Sequence, residues 1–177
     1  IQFDVAGVER LRVDNSDGVI AKHTTAANLR IQNSTAASSQ VAQLDMAPAG
    51  SISGVQLKCT SEEDFSTGAN RTAYFTVHNR KDGAFYERLR IDSSGKIGIG
   101  GAPSAWQAAT TSNVLQLGTA CLFNYNNDYF HVGQNFYWDG SNYKYVANDP
   151  ATRLLQDNGQ FTFYGAASGS ADANITW

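Results

Sequence analysis

Apolar and polar residues alternate along short stretches of this chain. In extended backbone Phe85, Glu87, Leu89 and Ile91 share one side, and Tyr86, Arg88, Arg90 and Asp92 take the other. Val5, Gly7, Glu9, Leu11 and Val13 keep the same parity, and Ala73, Phe75 and Val77 separate from Tyr74, Thr76 and His78. Further strand-like runs occupy 41–46, 55–59, 114–117, 136–138 and 143–146. Polar, glycine-containing turns lie between them, at Pro48-Ala49-Gly50, Lys81-Asp82-Gly83 and Asp139-Gly140-Ser141-Asn142. Many short strands at fairly even spacing predict an all-β chain, built as a sandwich, a barrel or strands shared among chains.

One pattern recurs. ERLRVDNSDGVI (9–20) returns as ERLRIDSSGKIGIG (87–100), and the first six positions differ only by Val13 against Ile91; TRLLQDNGQFTF (152–163) is a weaker third copy. Asn15-Ser16-Asp17-Gly18, Asp92-Ser93-Ser94-Gly95 and Asp157-Asn158-Gly159 supply the short polar residues and the glycine of a tight reversal, so each copy predicts a hairpin. By parity Glu9 and Glu87 fall on the otherwise apolar side. A buried carboxylate is costly alone, so each is expected to find an arginine, from its own or another chain. The Ala/Ser/Thr/Asn-rich stretches 24–40 and 102–113 read as connectors, with a short helix near 104–109 that Ser104 would cap behind Pro103. The organisation expected is a partial repeat at 1–22, a β module at 23–104 and an aromatic-rich β module at 105–177.

Composition narrows the class. Only 16% of the 177 residues are charged, against about a quarter in typical domains, and glutamate occurs only at Glu9, Glu62, Glu63 and Glu87. Long helices laced with Glu/Lys pairs are therefore not expected. The net charge of -3 and the scatter of basic residues leave no positive stripe for nucleic acid. No stretch approaches the roughly 20 apolar residues of a membrane span. Cys59 and Cys121 have neither zinc-site spacing nor disulfide-scaffold density, and read as two small strand residues in preference to a bridge. The chain opens at Ile1 without an initiator Met, which gives the expectation of a piece of something longer.

Residues 121–145 hold nine of the twenty aromatic residues, interleaved with Asn, Gln and Asp. Flat rings beside amides and carboxylates can stack on a sugar and hydrogen-bond its hydroxyls, which makes Tyr125, Tyr129, Tyr137, Trp138, Asp139 and Tyr143 the candidate glycan-binding residues. The competing reading is an aromatic strand face packed into a core. Glycan cleavage needs two carboxylates roughly 5–10 Å apart. Glu62, Glu63 and Asp64 read as a solvated turn; Asp128 and Asp139 are better placed among the aromatics. No catalytic residue is assigned, and the chain is not expected to be an enzyme. His23, His78 and His131 lack metal-ligand spacing, and IGIGG lacks the following helix or lysine of a phosphate loop, so no metal and no cofactor are expected.

The string ERLRIDSSGKIGIGGAPS (87–104), with TAYFTVHNRKDGAFYERLRI (72–91) leading into it, resembles a module that recurs in bacteriophage tail fibres and tail spikes. The resemblance covers 41–104 well, 1–20 as a truncated copy and 114–177 only in style. It implies a homotrimeric, extracellular virion appendage that binds a host surface glycan or protein and joins other tail or capsid proteins. Many such proteins carry a C-terminal self-cleaving chaperone domain, and none is visible here. The alternatives are a ligand-free capsid-decorating or structural fibre and a polysaccharide depolymerase. Thin hairpin modules also expose unpaired edges that association would pair. In that setting Gly98, Gly100 and Gly101, alternating with Ile97 and Ile99, are expected to let three backbones meet at an axis with the isoleucines inside.

Overall fold

The computed structural model describes residues 30–108, 112–126 and 128–177 in full, and the backbone of 2–5, 8–14 and 18–21. The chain divides into two compact units, Ile1–Gln32 and Asn33–Trp177. The first contains a three-stranded antiparallel sheet of β1 (Gln2–Val5), β2 (Val8–Asp14) and β3 (Gly18–Ala21).

The second unit carries β4 (Val41–Met46), β5 (Val55–Ser61), β6 (Ala73–Lys81), β7 (Ala84–Ile91), β8 (Ile97–Ile99), β9 (Ser112–Leu117), β10 (Ala120–Tyr125), β11 (Tyr129–Gln134), β12 (Phe136–Trp138), β13 (Tyr143–Tyr145), β14 (Asp149–Asp157) and β15 (Gln160–Gly169). No α-helix occurs among the described residues, and the fold is all-β with one large mixed sheet. Ten strands join in the order β15-β14-β11-β10-β9-β8-β7-β6-β5-β4, while β12 and β13 pair separately. The sheet runs through residue 104 without interruption, because β8 and β9 pair in parallel, so the strands on the two sides of that position belong to one sheet.

Local chemistry sets the turns. Asp82-Gly83, between paired Lys81 and Ala84, has φ of 50° and 84°, and Asn158-Gly159, between Asp157 and Gln160, has 47° and 77°. Two consecutive left-handed residues make the two-residue turn whose twist matches that of the strands it joins. In the ERLRID copy the turn has three residues, and the Asp92 carboxylate accepts the amides of Ser94 and Lys96 at 2.9 and 2.8 Å.

The two close copies share a register. Leu11 pairs with Ala21 and Val13 with Val19; Leu89 pairs with Ile99 and Ile91 with Ile97, the same pairings 78 positions on. They share an irregularity too. Phe3 pairs with Leu11 but Asp4 with Glu9, and Val77 pairs with Leu89 but His78 with Glu87, so Arg10 and Arg88 are each the extra residue of a bulge. The bulge corrects the expected side of Glu87. It moves this carboxylate off the face of Leu89 and onto that of Arg90, whose guanidinium it accepts at 2.9 and 2.7 Å. The partner comes from the same chain, and that pairing holds Arg90 still more firmly protonated. The side chain of Glu9 lies outside the described residues.

Register also assigns the two faces of the ten-stranded sheet. Ala42, Cys59, Phe75, Ile91, Ile97, Leu115, Leu122, Val132, Leu154 and Phe163 form one unbroken cross-strand row over all ten strands. A parallel row runs Leu44, Leu57, Val77, Leu89, Ile99, Leu117 and Ala120, then Gln134, Thr152 and Gly165. Neither row contains a charge or a buried residue, and exposure reaches 79% at Phe163. The opposite face differs between its two halves. Over β4–β7 it carries Gln43, Lys58, Thr76, Arg90, His78 and Glu87, while over β9–β11 and β14 the β12–β13 hairpin, the tail and Trp106 cover it. The core lies there, built from Trp106, Val114, Cys121, Phe123, Phe136, Tyr137, Tyr145, Ala151 and Ile175. Both cysteines are free thiols on strands, Cys59 exposed and Cys121 buried, where burial pushes the Cys121 thiol up to about 12.

Two further expectations change. The described residues from Ser104 to Ala108 are not helical, since tertiary bonds claim their amides: Ser104 N donates to Gln116 Oε1 (2.8 Å) and Gln107 N to the Trp138 carbonyl (2.8 Å), and the Trp106 indole donates to Gln116 Oε1 (2.7 Å). Gly98 has a reason within its own chain, because a Cβ there would overlap the Gly101 carbonyl and crowd Pro103. Ile99 points to the bare face, and Gly101 has open space around it.

A close approach of this kind fixes the core. A Cβ on Gly133 would overlap the ring edge of Phe136, 2.0 Å from its Cε1, and Phe136 is 0% exposed, whereas one on Gly165 would meet nothing within 4 Å. Gly133→Ala is expected to destabilise the fold by about 2–3 kcal/mol in a denaturant titration, with Gly165→Ala within about 0.5 kcal/mol of the parent.

Candidate functional site

The covered half of the sheet holds an aromatic cleft, and the hairpins explain its position. Phe123 pairs with His131 and Tyr125 with Tyr129 across β10 and β11, and alternation places all four side chains on the covered face. After Gln134 the chain reverses at Asn135, which has φ of 63°. The Asn135 amide donates to the carbonyls of Ala147 (3.1 Å), Asp149 (2.7 Å) and Pro150 (3.2 Å), and its oxygen accepts the Ala147 amide (2.7 Å). Asn is well suited to this place, because a left-handed backbone is needed together with a side chain whose two N–H groups, shared among three carbonyls, donate while its oxygen accepts. The reversal lays β12–β13 back over β10–β11, Phe136 against Gly133.

Trp138 and Tyr143 are directly paired on that hairpin, with ring centres 4.8 Å apart. Together Phe123, Tyr125, Tyr129, His131, Trp138 and Tyr143 line a cleft of about 230 Å³. His131 stacks on Phe123 at 5.1 Å and 19°, and its centre lies 6.0 Å from that of Tyr143. Behind the cleft Arg153 is held between rings, its guanidinium carbon 4.1 Å from the centres of Tyr143 and Tyr164 and 4.6 Å from Trp177. Burial, reinforced by the positive charge of Arg153, lowers the His131 pKa to about 4, so the imidazole is neutral at pH 7. Burial raises the Tyr143 phenol. The lining therefore carries no formal charge. It does carry an unmet polar atom, because His131 is 2% exposed and its Nδ1 has no hydrogen-bond partner among the described residues.

Four of the six candidate glycan-binding residues, Tyr125, Tyr129, Trp138 and Tyr143, come together here. Tyr137 does not. It alternates with Trp138, is buried, and donates its hydroxyl to Asp172 Oδ1 at 2.8 Å; burial first, then that bond, pushes its phenol up to about 12. Asp139 closes the β12–β13 turn instead. Its Oδ1 accepts the amides of Ser141 (2.8 Å) and Asn142 (2.7 Å), and its Oδ2 lies 3.6 Å from Lys144 Nζ. Those amides hold its carboxyl below the usual range. Phe123 and His131 were not among the candidates, although a hairpin closing at Tyr125 and Tyr129 places them one alternation further in.

The remaining candidates sit elsewhere. Asp64 accepts from Ser66 N (3.0 Å), Ser66 Oγ (2.8 Å) and Asn70 Nδ2 (3.1 Å), and the Thr72 hydroxyl donates to Glu63, so the acidic cluster shapes a loop. Asp128 is exposed at the β10–β11 tip. His78 hydrogen-bonds Thr76 Oγ1 at 3.1 Å, and His23 lies outside the described residues. No three His, Cys, Asp or Glu side chains converge among the described residues.

The depressed pKa of His131 links stability to pH. Unfolded, the ring takes up a proton as pH falls through about 6.5; folded, it resists until about 4, so the unfolded chain binds the extra proton between these values. Folding stability is expected to fall by about 3 kcal/mol as pH drops from 7 to 4 and to level off below, as far as this group is concerned. Denaturant midpoints against pH for the parent and for His131→Phe test this, since the variant is expected to lose that part of the slope.

Compared with known proteins, the chain matches no family model, no curated protein and no solved structure.

Proposed function

We propose that this chain is a structural and host-recognition segment of a virion appendage of the phage tail-fibre kind, acting outside the cell as a homotrimer. The observation that supports this best is the bare apolar face. At about 4.8 Å per strand and about 7 Å between rows, its two rows cover on the order of 600 Å², apolar except at Gln134, Thr152 and Gly165. That is the upper end of the roughly 300–600 Å² of the largest patch on a typical monomer, which is often functional, and it approaches the roughly 800 Å² that a stable interface takes from each partner. The partner chemistry is equally specific: neither row offers a charge to pair, so a matching surface is apolar, flat and extended, as a second copy of the same face is.

Three such faces turned inward as the sides of a prism cover one another completely and close the assembly. The aromatic clefts lie on the other face of the sheet and would point outward, three to an assembly. Weak contacts with a repetitive host polysaccharide would then reinforce one another through effective concentration. A ligand-free structural fibre would share this assembly and differ only at the cleft. Other tail or capsid proteins would meet it end to end.

The purified chain is expected at three times its 19.1 kDa mass in native mass spectrometry. Val132 is 43% exposed in the bare row, so Val132→Lys is harmless to an isolated sheet and disruptive to a covered one. That variant is expected to run as a monomer with an unchanged β-type circular dichroism spectrum. A parent protein that is itself monomeric at micromolar concentration rejects the assembly.

A further inference from the structure

We infer that the cleft takes a single uncharged pyranose ring, stacked among Tyr125, Tyr129, Trp138 and Tyr143. The inference rests on the host-glycan reading above and narrows it to one sugar class.

Size sets the first limit. A space of about 230 Å³ is below the roughly 300–1,000 Å³ of pockets that hold drug-sized ligands, so one ring enters and the rest of a chain stays outside. The walls set the second. Four rings on two facing hairpins present flat apolar surfaces to the axial C–H face of a sugar, while three phenol hydroxyls offer polar contacts. Charge sets the third. The lining has no Lys, Arg, Asp or Glu, and Arg153, which packs on the lining residue Tyr143, is held among Tyr143, Tyr164 and Trp177. A uronate or sialate carboxylate entering here would lose its water and gain no counter-charge.

Saturation-transfer NMR on the full chain, with methyl glycosides of neutral hexoses set against methyl glucuronide and sialic acid, tests this directly. Neutral glycosides are expected to bind in the millimolar range and the acidic sugars at least about tenfold more weakly. Tyr129→Ala removes one ring of the lining at an exposed position, and Tyr125→Ala removes a second. Each is expected to weaken binding by about tenfold, with the circular dichroism spectrum and native mass unchanged. A preference for the acidic sugars, or equal binding by both variants and the parent, overturns the inference and leaves host-glycan recognition standing. Absence of binding by every glycoside, in a chain that still assembles as three, overturns glycan recognition with it and leaves the ligand-free fibre.

Discussion

The structure depends on covering both sides of one sheet with too little chain. Ten strands in one sheet have two broad faces, and among the described residues only the end of one face, over β9–β11 and β14, receives a lid. That lid is small but dense: Trp106, Phe136, Tyr137 and Tyr145 are buried in it against Phe123 of the sheet, and Arg153 is packed among three rings beside it. The polar half of the same face needs no lid, because Lys58, Arg90 and Glu87 are content in water or with each other. Among the described residues, the other face has apolar side chains across every strand and none packed over them. Hydrophobic burial is the main favourable term in folding, so this face is where the largest stabilisation remains to be gained.

The bulge at Arg88 keeps that face clean. Without the extra residue, strict alternation would place Glu87 among Leu89, Val77 and Ile99; with it, the carboxylate joins Arg90 and His78 on the polar side. The same device recurs at Arg10 in the first unit, in the same six-residue context. A one-residue shift in pairing exchanges the faces of a strand, and here it does so only for the part of β7 that carries the charge.

Much of the fold was legible in the sequence because its signals are local. Asp-Gly and Asn-Gly turns, alternation in β6 and β7, and the repeated ERLR(V/I)D strings need only a few neighbouring residues to act, and they mark strands and hairpins that the structure contains. What was not legible depends on residues far apart. The bulge is a property of a strand pair, so counting along one strand placed Glu87 on the wrong side. The Ser104 segment has a capping residue and a proline, yet Gln116 and Trp138 outbid the helix for its amides. Aromatic density marks the stretch that lines the cleft, but parity within β12 separates Trp138, at the cleft, from Tyr137, beneath it. His131 escaped notice because its role comes from facing Phe123 across a hairpin, which no spacing motif records.

Strand order in the large sheet bears on how the chain comes to be folded. Apart from β11–β14, every ladder joins strands that follow one another in sequence, and that one exception spans only the short β12–β13 hairpin. Loop closure is therefore cheap at each step. A polypeptide leaving the ribosome can add one strand to the growing edge as soon as it emerges, without waiting for its far end.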